Sequence, residues 1–261
     1  MDLERYGPWA LVVGGSEGVG AECARQLAAD GFDLVLTARK LEPLEALAHE
    51  LRDAGRRVRI VSADLSHGDV LARVREATDD IEIGLLFYNA GANNTRGNFV
   101  DLPADVTRSV IAINVVGQTE FARHYGALMK QRGRGGIILT GSLSGYMGSP
   151  SLATYTAAKA FSRTFTEALW AECSAFGVDV LHFVIGFTAT PAMERLGIDM
   201  SKAEDPASVA RKALANLTNG PVVIAGGEDN LERARQRSVI DGRGEAIRAM
   251  ATPSREAILK T

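Results

Sequence analysis

The chain has 261 residues, 46% of them hydrophobic and 23% charged, which suits one large α/β core and excludes general disorder. A formal charge of −3 provides no basic field, which argues against nucleic acid or an anionic membrane as the main partner. Cys23 and Cys173 lie in helix-like segments without metal-ligand spacing. With no cationic start and apolar core of a signal peptide and no run of about 18 apolar residues, a cytoplasmic protein without a disulfide scaffold is expected.

Trp9 to Val13 is a short apolar run ending in glycines, the pattern of a buried parallel strand. Val19 to Ala29 follows with Val19, Cys23, Ala24, Leu27 and Ala28 at helical spacing. Strand Leu34 to Thr37, helix Leu41 to Ala54, strand Val58 to Ser62, helix Val70 to Ala77 and strand Leu85 to Tyr88 repeat the alternation, so a parallel sheet covered by helices on both faces is expected. A long helical region is expected from about Ala104 to Gln131, ahead of strand Ile137 to Thr140. Ser149 and Pro150 read as the N-cap and first residue of the next helix, which carries Tyr155 and runs to Phe176, with Gly177 as its stop. Strand Asp179 to Ile185, an irregular stretch from Phe187 to Asp205, helix Pro206 to Leu217 and strand Val222 to Ala225 complete a doubly wound sheet of about seven strands. Residues 229–261 read as a helical tail on what is expected to be a single domain spanning 1–261.

Gly14-Gly15-Ser16-Glu17-Gly18-Val19-Gly20 joins the first strand to the first helix. Glycines in this position permit a tight turn and close approach of backbone to a pyrophosphate, whose charge a helix N-terminus favours. The second strand ends in Thr37-Ala38-Arg39-Lys40. An acid about 20 residues beyond the glycines would bind the ribose hydroxyls of NAD, whereas a base suits the extra phosphate of NADP. Arg39 offers a planar, permanently charged fork, so NADPH is favoured and NADH stays open, with Glu17 acting against the preference.

Tyr155 and Lys159 stand four residues apart and so share a helix face, with Cβ atoms roughly 5–6 Å apart. A free phenol titrates at about 10, too high for proton transfer near neutrality, and a nearby cation lowers that by about 1–3 units. Lys159 is therefore the expected tuner of Tyr155, with Ser142 in the preceding loop facing the same substrate oxygen. Ser144 competes for that role. A Tyr-x-x-x-Lys pair alone is weak and gains meaning from its surroundings.

Together, Gly14-x-x-x-Gly18-x-Gly20, Asn89-Ala90-Gly91, Asn114, Ser142 and Tyr155-x-x-x-Lys159 resemble the short-chain dehydrogenase/reductase family in order and spacing, from about Trp9 to Thr190. Gly7-Pro8-Trp9-Ala10 and Thr37-Ala38-Arg39 look most like the branch of hydroxysteroid dehydrogenases and β-ketoacyl reductases. The resemblance implies a Rossmann-type fold and hydride transfer between NAD(P) and a carbonyl or secondary alcohol. In that scheme Tyr155 is the proton carrier, Ser142 orients the oxygen, Lys159 binds the nicotinamide ribose and lowers the Tyr155 pKa, and Asn114 holds a water that links Lys159 to solvent. The implied coenzyme contacts are Gly14, Ser16, Glu17, Gly18 and Val19 in the first loop, Arg39, and Asp64 and Leu65 flanking the adenine. Asn89, Ala90, Gly91, Gly186, Thr188, Thr190, Tyr155 and Lys159 complete them, with Thr190 at the carboxamide. Val13, Tyr88 and Ile185 depart from the usual threonine, asparagine and proline.

Ligands in open α/β sheets bind beyond the carboxyl ends of the strands. The expected substrate walls are Asn93, Asn94 and Phe99, then Leu143, Tyr146 and Met147, then Phe187 to Met200, where Met193, Leu196, Ile198 and Met200 suggest a hydrophobic ketone, steroid-like or acyl. Two other readings are an NAD-dependent dehydrogenase working oxidatively and a dinucleotide sensor or scaffold without turnover. His49, His67, His124 and His182 have no metal-like spacing, and no metal is expected. Relatives pair through the helices that carry Asn114 and Tyr155, so a homodimer or homotetramer is expected, with Phe161, Phe165 and Trp170 as apolar surface.

Overall fold

A computed structural model describes residues 1–91, 95–194 and 199–258. The strands are β1 (Trp9–Val13), β2 (Asp33–Ala38), β3 (Val58–Ser62), β4 (Ile83–Tyr88), β5 (Gly135–Ser142), β6 (Val178–Ile185) and β7 (Val222–Ile224). The helices are α1 (Leu3–Tyr6), α2 (Gly18–Ala29), α3 (Leu41–Asp53), α4 (Val70–Glu76), α5 (Ala104–Ile111), α6 (Gln118–Arg132), α7 (Ala153–Ser174), α8 (Pro191–Glu194), α9 (Pro206–Ala215), α10 (Gly227–Ser238) and α11 (Arg243–Ile258).

All seven strands pair in parallel in the order β3-β2-β1-β4-β5-β6-β7. Successive residues of a strand point to opposite faces. Ala10 and Val12 of β1 accordingly pack with Leu27, Leu44 and Val209 from α2, α3 and α9, while Trp9, Leu11 and Val13 pack with Phe121, Tyr125 and Met129 from α6. Burial on both faces is why β1 and β4 read as unbroken apolar runs and why β2 carries Leu34, Val35 and Leu36 in succession. The order reverses at β1, whose neighbours are β2 and β4, so the carboxyl ends of β1 and β4 border the crevice where such sheets take their ligands.

Among the differences from the sequence expectation, four lie in the segments that carry candidate site residues. The long helical region from Ala104 is interrupted by a π-helical turn, Ala112–Gly117, before it resumes as α6. The fully buried Tyr88 phenol donates to the Ile113 carbonyl inside that turn at 2.7 Å, and Gly117 leaves the space that its hydroxyl occupies. Ser149 and Pro150 do not start the Tyr155 helix, which begins at Ala153. Residues 149–152 instead form a turn in which Ser151 is left-handed (φ 64°) and gives its carbonyl to the Gly97 amide at 3.1 Å. The same helix ends at Ser174 rather than Phe176, although Gly177 does take a left-handed conformation (φ 72°) just beyond. Finally, β5 continues through Ser142, which is the last strand residue and not part of a loop.

Candidate active site

The nucleotide loop is built from the ends of β1, β2 and β4. Gly14 donates its amide to the Thr37 carbonyl at 2.8 Å and accepts from Asn89 Nδ2 at 3.2 Å. Gly14 is left-handed (φ 85°), and a Cβ there would stand 2.8 Å from the Ala90 nitrogen, so only glycine lets these two strand ends approach. Helix α2 begins at Gly18, and the Glu17 side chain makes no capping bond to its first amides. Ser16 and Val19 flank the turn, Val19 buried and Ser16 half-buried. Thr190 reaches the same loop, with its Cγ2 only 3.0 Å from the point where a Cβ on Gly18 would stand. A glycine cradle open to an anion at a helix start fits a dinucleotide pyrophosphate.

Beyond β2, Arg39 is exposed and lies 3.7 Å from Asp64, while Leu65 is buried. Burial raises the Asp64 carboxyl, but the Ser66 amide and hydroxyl and the Arg39 charge outweigh it, leaving the carboxyl below its usual range. Glu17 is matched by Lys40 at 3.6 Å, which reduces the opposition that an acid in the phosphate loop would offer a phosphate. Thr188 is buried, donates to the Gly186 carbonyl at 3.2 Å, and bridges to Glu204.

The candidate reacting groups converge at the ends of β4 and β5 and the start of α7. A Cβ on Gly91, whose φ is 138°, would fall inside contact distance of Asn114 Oδ1 and 3.1 Å from Lys159 Nζ, so these three residues meet in one place. Asn114 is buried and spends its Nδ2 on the Val110 carbonyl at 3.0 Å. Its Oδ1 has no hydrogen-bond partner among the described residues and stands on the Gly91 and Lys159 side. Lys159 is buried and donates to the Thr140 carbonyl at 3.2 Å, a backbone partner that no side-chain motif could have indicated. Ser142 Oγ accepts from the Ser144 amide at 3.1 Å, so Ser144 serves the neighbouring hydroxyl through its backbone.

The electrostatics correct one expectation. Burial pushes the Tyr155 phenol above its ordinary value, and the weaker lowering influence on it comes from the nearby Ser142 hydroxyl rather than from the charge of Lys159. Lys159 Nζ lies 5.8 Å from the Tyr155 ring centroid, and burial lowers its own pKa to about 8. In the free protein Tyr155 is therefore a protonated phenol. The depressed lysine also has a consequence for stability. An unfolded lysine keeps its proton to about 10.4, so between about pH 8 and 10 the unfolded chain binds more protons and the folded protein gains stability as pH rises. Below about 8 both states are charged and the full cost of burying the ammonium is present. Relative to Lys159→Met, the wild type should gain on the order of 2 kcal/mol over that interval in chemical denaturation. Parallel curves for the two proteins would contradict it.

Leu143, Tyr146 and Met147 follow β5 and are half-buried, with the Arg163 guanidinium 4.4 Å over the Tyr146 ring. Phe187 is exposed at the end of β6, and Met193 in α8 donates its amide to the Thr190 carbonyl at 2.9 Å. Phe99 is exposed and, with Leu102, Val106 and Tyr155, is among the residues lining a narrow pocket. Asn93, Asn94, Leu196 and Ile198 lie outside the described residues. Buried His182 sits under Gly141, and burial and the Lys159 charge lower its pKa to about 3, so it is a neutral packing residue. Among the described residues no cluster of His, Cys, Asp and Glu could hold a metal, and no helix is long and apolar enough to cross a membrane.

The sequence profile of the short chain dehydrogenase family matches residues 8–201. This chain belongs to that family. It is 35% identical over 208 residues to a 7beta-hydroxysteroid dehydrogenase of Clostridium sardiniense, covering 79% of this chain and 77% of the relative. A solved 7beta-hydroxysteroid dehydrogenase, studied for its stereoselectivity, superposes with a TM-score of 0.88 at 32% identity, covering 95% of this chain and 98% of the other. A short-chain dehydrogenase from Sphingobium yanoikuyae in complex with NADPH superposes with a TM-score of 0.78 at 33% identity, covering 88% and 94%. The protein is thus an oxidoreductase that interconverts carbonyl and alcohol with a nicotinamide coenzyme.

Proposed function

We propose that this short-chain dehydrogenase reduces a bulky apolar ketone, steroid-like in shape, with NADPH. The meeting of Tyr155, Ser142 and Lys159 at the end of β5 and the start of α7 is the observation that carries the reading. When bound, the nicotinamide supplies the hydride. The chain's own residues supply placement and the proton. Ser142, fixed by the Ser144 amide, donates to the carbonyl oxygen and sets its position. Tyr155, held protonated by burial, gives its proton to that oxygen as the carbon is reduced, and the alcohol leaves. Lys159, buried beside Gly91 and bonded to the Thr140 carbonyl, would hold the nicotinamide ribose. Asn114, with its free Oδ1 turned toward Lys159, holds a water through which the phenolate regains a proton from solvent.

The preference for NADPH rests on Arg39, exposed just beyond β2, whose one carboxylate, Asp33, stands at the opposite end of the strand. The preference for a bulky apolar substrate rests on the exposed Phe99 and Phe187 and on Leu143, Tyr146 and Met147 around the cleft. We place the pairing surface of a homodimer or homotetramer on the exposed Ile111, Val116, Phe161 and Trp170, on the helices that carry Asn114 and Tyr155. A ketone panel tests the substrate reading: 7-oxo steroids, bulky diaryl ketones, a long-chain 3-oxoacyl thioester and small polar ketones, each with NADPH and with NADH. Steroid or bulky ketones should show the highest kcat/KM, and NADPH should exceed NADH by about tenfold or more, as expected of a charge-assisted phosphate contact. Faster turnover of small polar ketones, or of NADH, would overturn it.

A further inference from the structure

The two C-terminal helices lie beyond residues 8–201, the extent of the family match, yet they reach back onto the segment that follows Ser142. Arg237, in the last turn of α10, donates from Nη1 to the Leu143 carbonyl at 3.0 Å. Arg243, the first residue of α11, donates from Nη2 to the Tyr146 carbonyl at 2.9 Å. Its Nη1 turns the other way, to the Arg237 carbonyl at 2.7 Å and the Val239 carbonyl at 3.2 Å. One guanidinium thus holds the near end of the segment, and the other ties its far end to the α10–α11 junction.

The opposite side of the segment is already fixed. Gly145 lies against the Lys159 backbone, where a Cβ would be 2.7 Å from the Lys159 carbonyl carbon, and Arg163 covers the Tyr146 ring. Residues 143–146 are thus held between α7 on one side and two half-buried guanidinium groups on the other. Helix α10 also buttresses the next loop of the cleft. Asn230 donates to the Ala225 carbonyl at 2.7 Å, and its Nδ2 lies 2.5 Å from where a Cβ on Gly186 would stand.

We propose that Arg237 and Arg243 are positioning residues of the reaction: by holding the carbonyls of Leu143 and Tyr146, the C-terminal helices set the Ser142 hydroxyl against Tyr155. The inference rests on the catalytic reading of Ser142 and Tyr155 given above. Hydrogen bonds from charged donors to carbonyls are stronger than neutral ones, and small displacements of a reacting group are costly in rate. Arg237 makes one bond that a lysine can replace, whereas Arg243 divides its two nitrogens between three carbonyls in a way that a single ammonium cannot.

The test uses the full chain and the variants Arg237→Met, Arg243→Met, Arg237→Lys and Arg243→Lys. Peptide-resolved amide exchange of residues 142–148 is measured together with kcat and KM for the best ketone and the Kd for NADPH. Both methionine variants should exchange the segment about tenfold faster, with β1 and α2 unchanged. They should lose about tenfold or more in kcat/KM for the ketone while NADPH affinity stays within about twofold. Arg237→Lys should restore most of the loss, and Arg243→Lys should not. Unchanged exchange and kinetics would overturn the proposal, as would uniform acceleration across all peptides with matching loss of NADPH affinity, the mark of a merely structural role. If a methionine variant fails to fold, the contrast between the two lysine variants decides on the same readouts. The exchange measurement needs no turnover, so a failure of the clamp and a failure of the ketone reading are separable.

Discussion

Tyr155→Phe is expected to lower kcat for ketone reduction by about a thousandfold, within the range that a positioned general acid contributes, and to leave NADPH affinity nearly unchanged. The phenol is the group at the end of the cleft that burial holds in its protonated form, and the substitution removes one oxygen without altering the ring. Ser142 cannot substitute for it. An aliphatic hydroxyl is far too weak an acid to protonate a developing alkoxide near neutral pH. The glycine loop, Arg39 and Lys159 are untouched, so coenzyme titration by fluorescence should return a Kd within about threefold of the wild type, less than one unit of RT ln 10. A variant that keeps more than about a tenth of wild-type kcat would refute the acid role.

Gly91→Ala is the second large effect, and it acts through geometry. The residue sits at φ 138°, where an L side chain is strained, and the new methyl would press on Asn114 Oδ1 and on Lys159 Nζ 3.1 Å away. Lys159 has little room to retreat, since it is buried and already bonded to the Thr140 carbonyl. Loss of about a hundredfold in kcat/KM is expected from displacing the lysine by a fraction of an ångström to an ångström. Weaker coenzyme binding and about 1–3 kcal/mol of lost stability should accompany it. Gly55→Ala is the control, because Gly55 has a comparable positive φ of 82° but nothing within 4 Å of a new Cβ. It should lose stability alone. Equal kinetic effects of the two substitutions would show that backbone strain, not crowding of Lys159, is responsible.

Much of the framework could be read from residue order because the physics behind it is local. Strands β1, β2 and β4 are buried on both faces and so carry apolar runs, and the glycines between β1 and α2 mark a turn that a side chain would obstruct. The helical spacing of Tyr155 and Lys159 put both on one turn of α7, as found. What escaped the sequence depends on distant contacts. The π turn at Ala112–Gly117 continues the apolar periodicity of its neighbours, and its link to Tyr88 joins residues 25 apart. Ser149-Pro150 has the composition of a helix start, but the Gly97 amide claims the Ser151 carbonyl and delays the helix to Ala153. The Lys159 anchor is a backbone carbonyl, which has no side-chain signature. Arg237 and Arg243 look like ordinary charges on a solvated helical tail until the fold brings them to Leu143 and Tyr146. The expected lowering of the Tyr155 pKa by Lys159 weighed one neighbouring charge and left out burial, which acts the other way on the phenol and also on the lysine itself.

The most direct measurement follows a single deuterium. A bulky ketone or 7-oxo steroid is incubated with the protein and NADPH deuterated at nicotinamide C4, on the transferred side, and the product alcohol is analysed by mass spectrometry. One deuterium on the carbinol carbon with wild-type protein, and almost no labelled alcohol with Tyr155→Phe at saturating coenzyme, is the expected result. Unlabelled alcohol, or label delivered equally fast by the phenylalanine variant, would contradict hydride transfer completed by a proton from Tyr155.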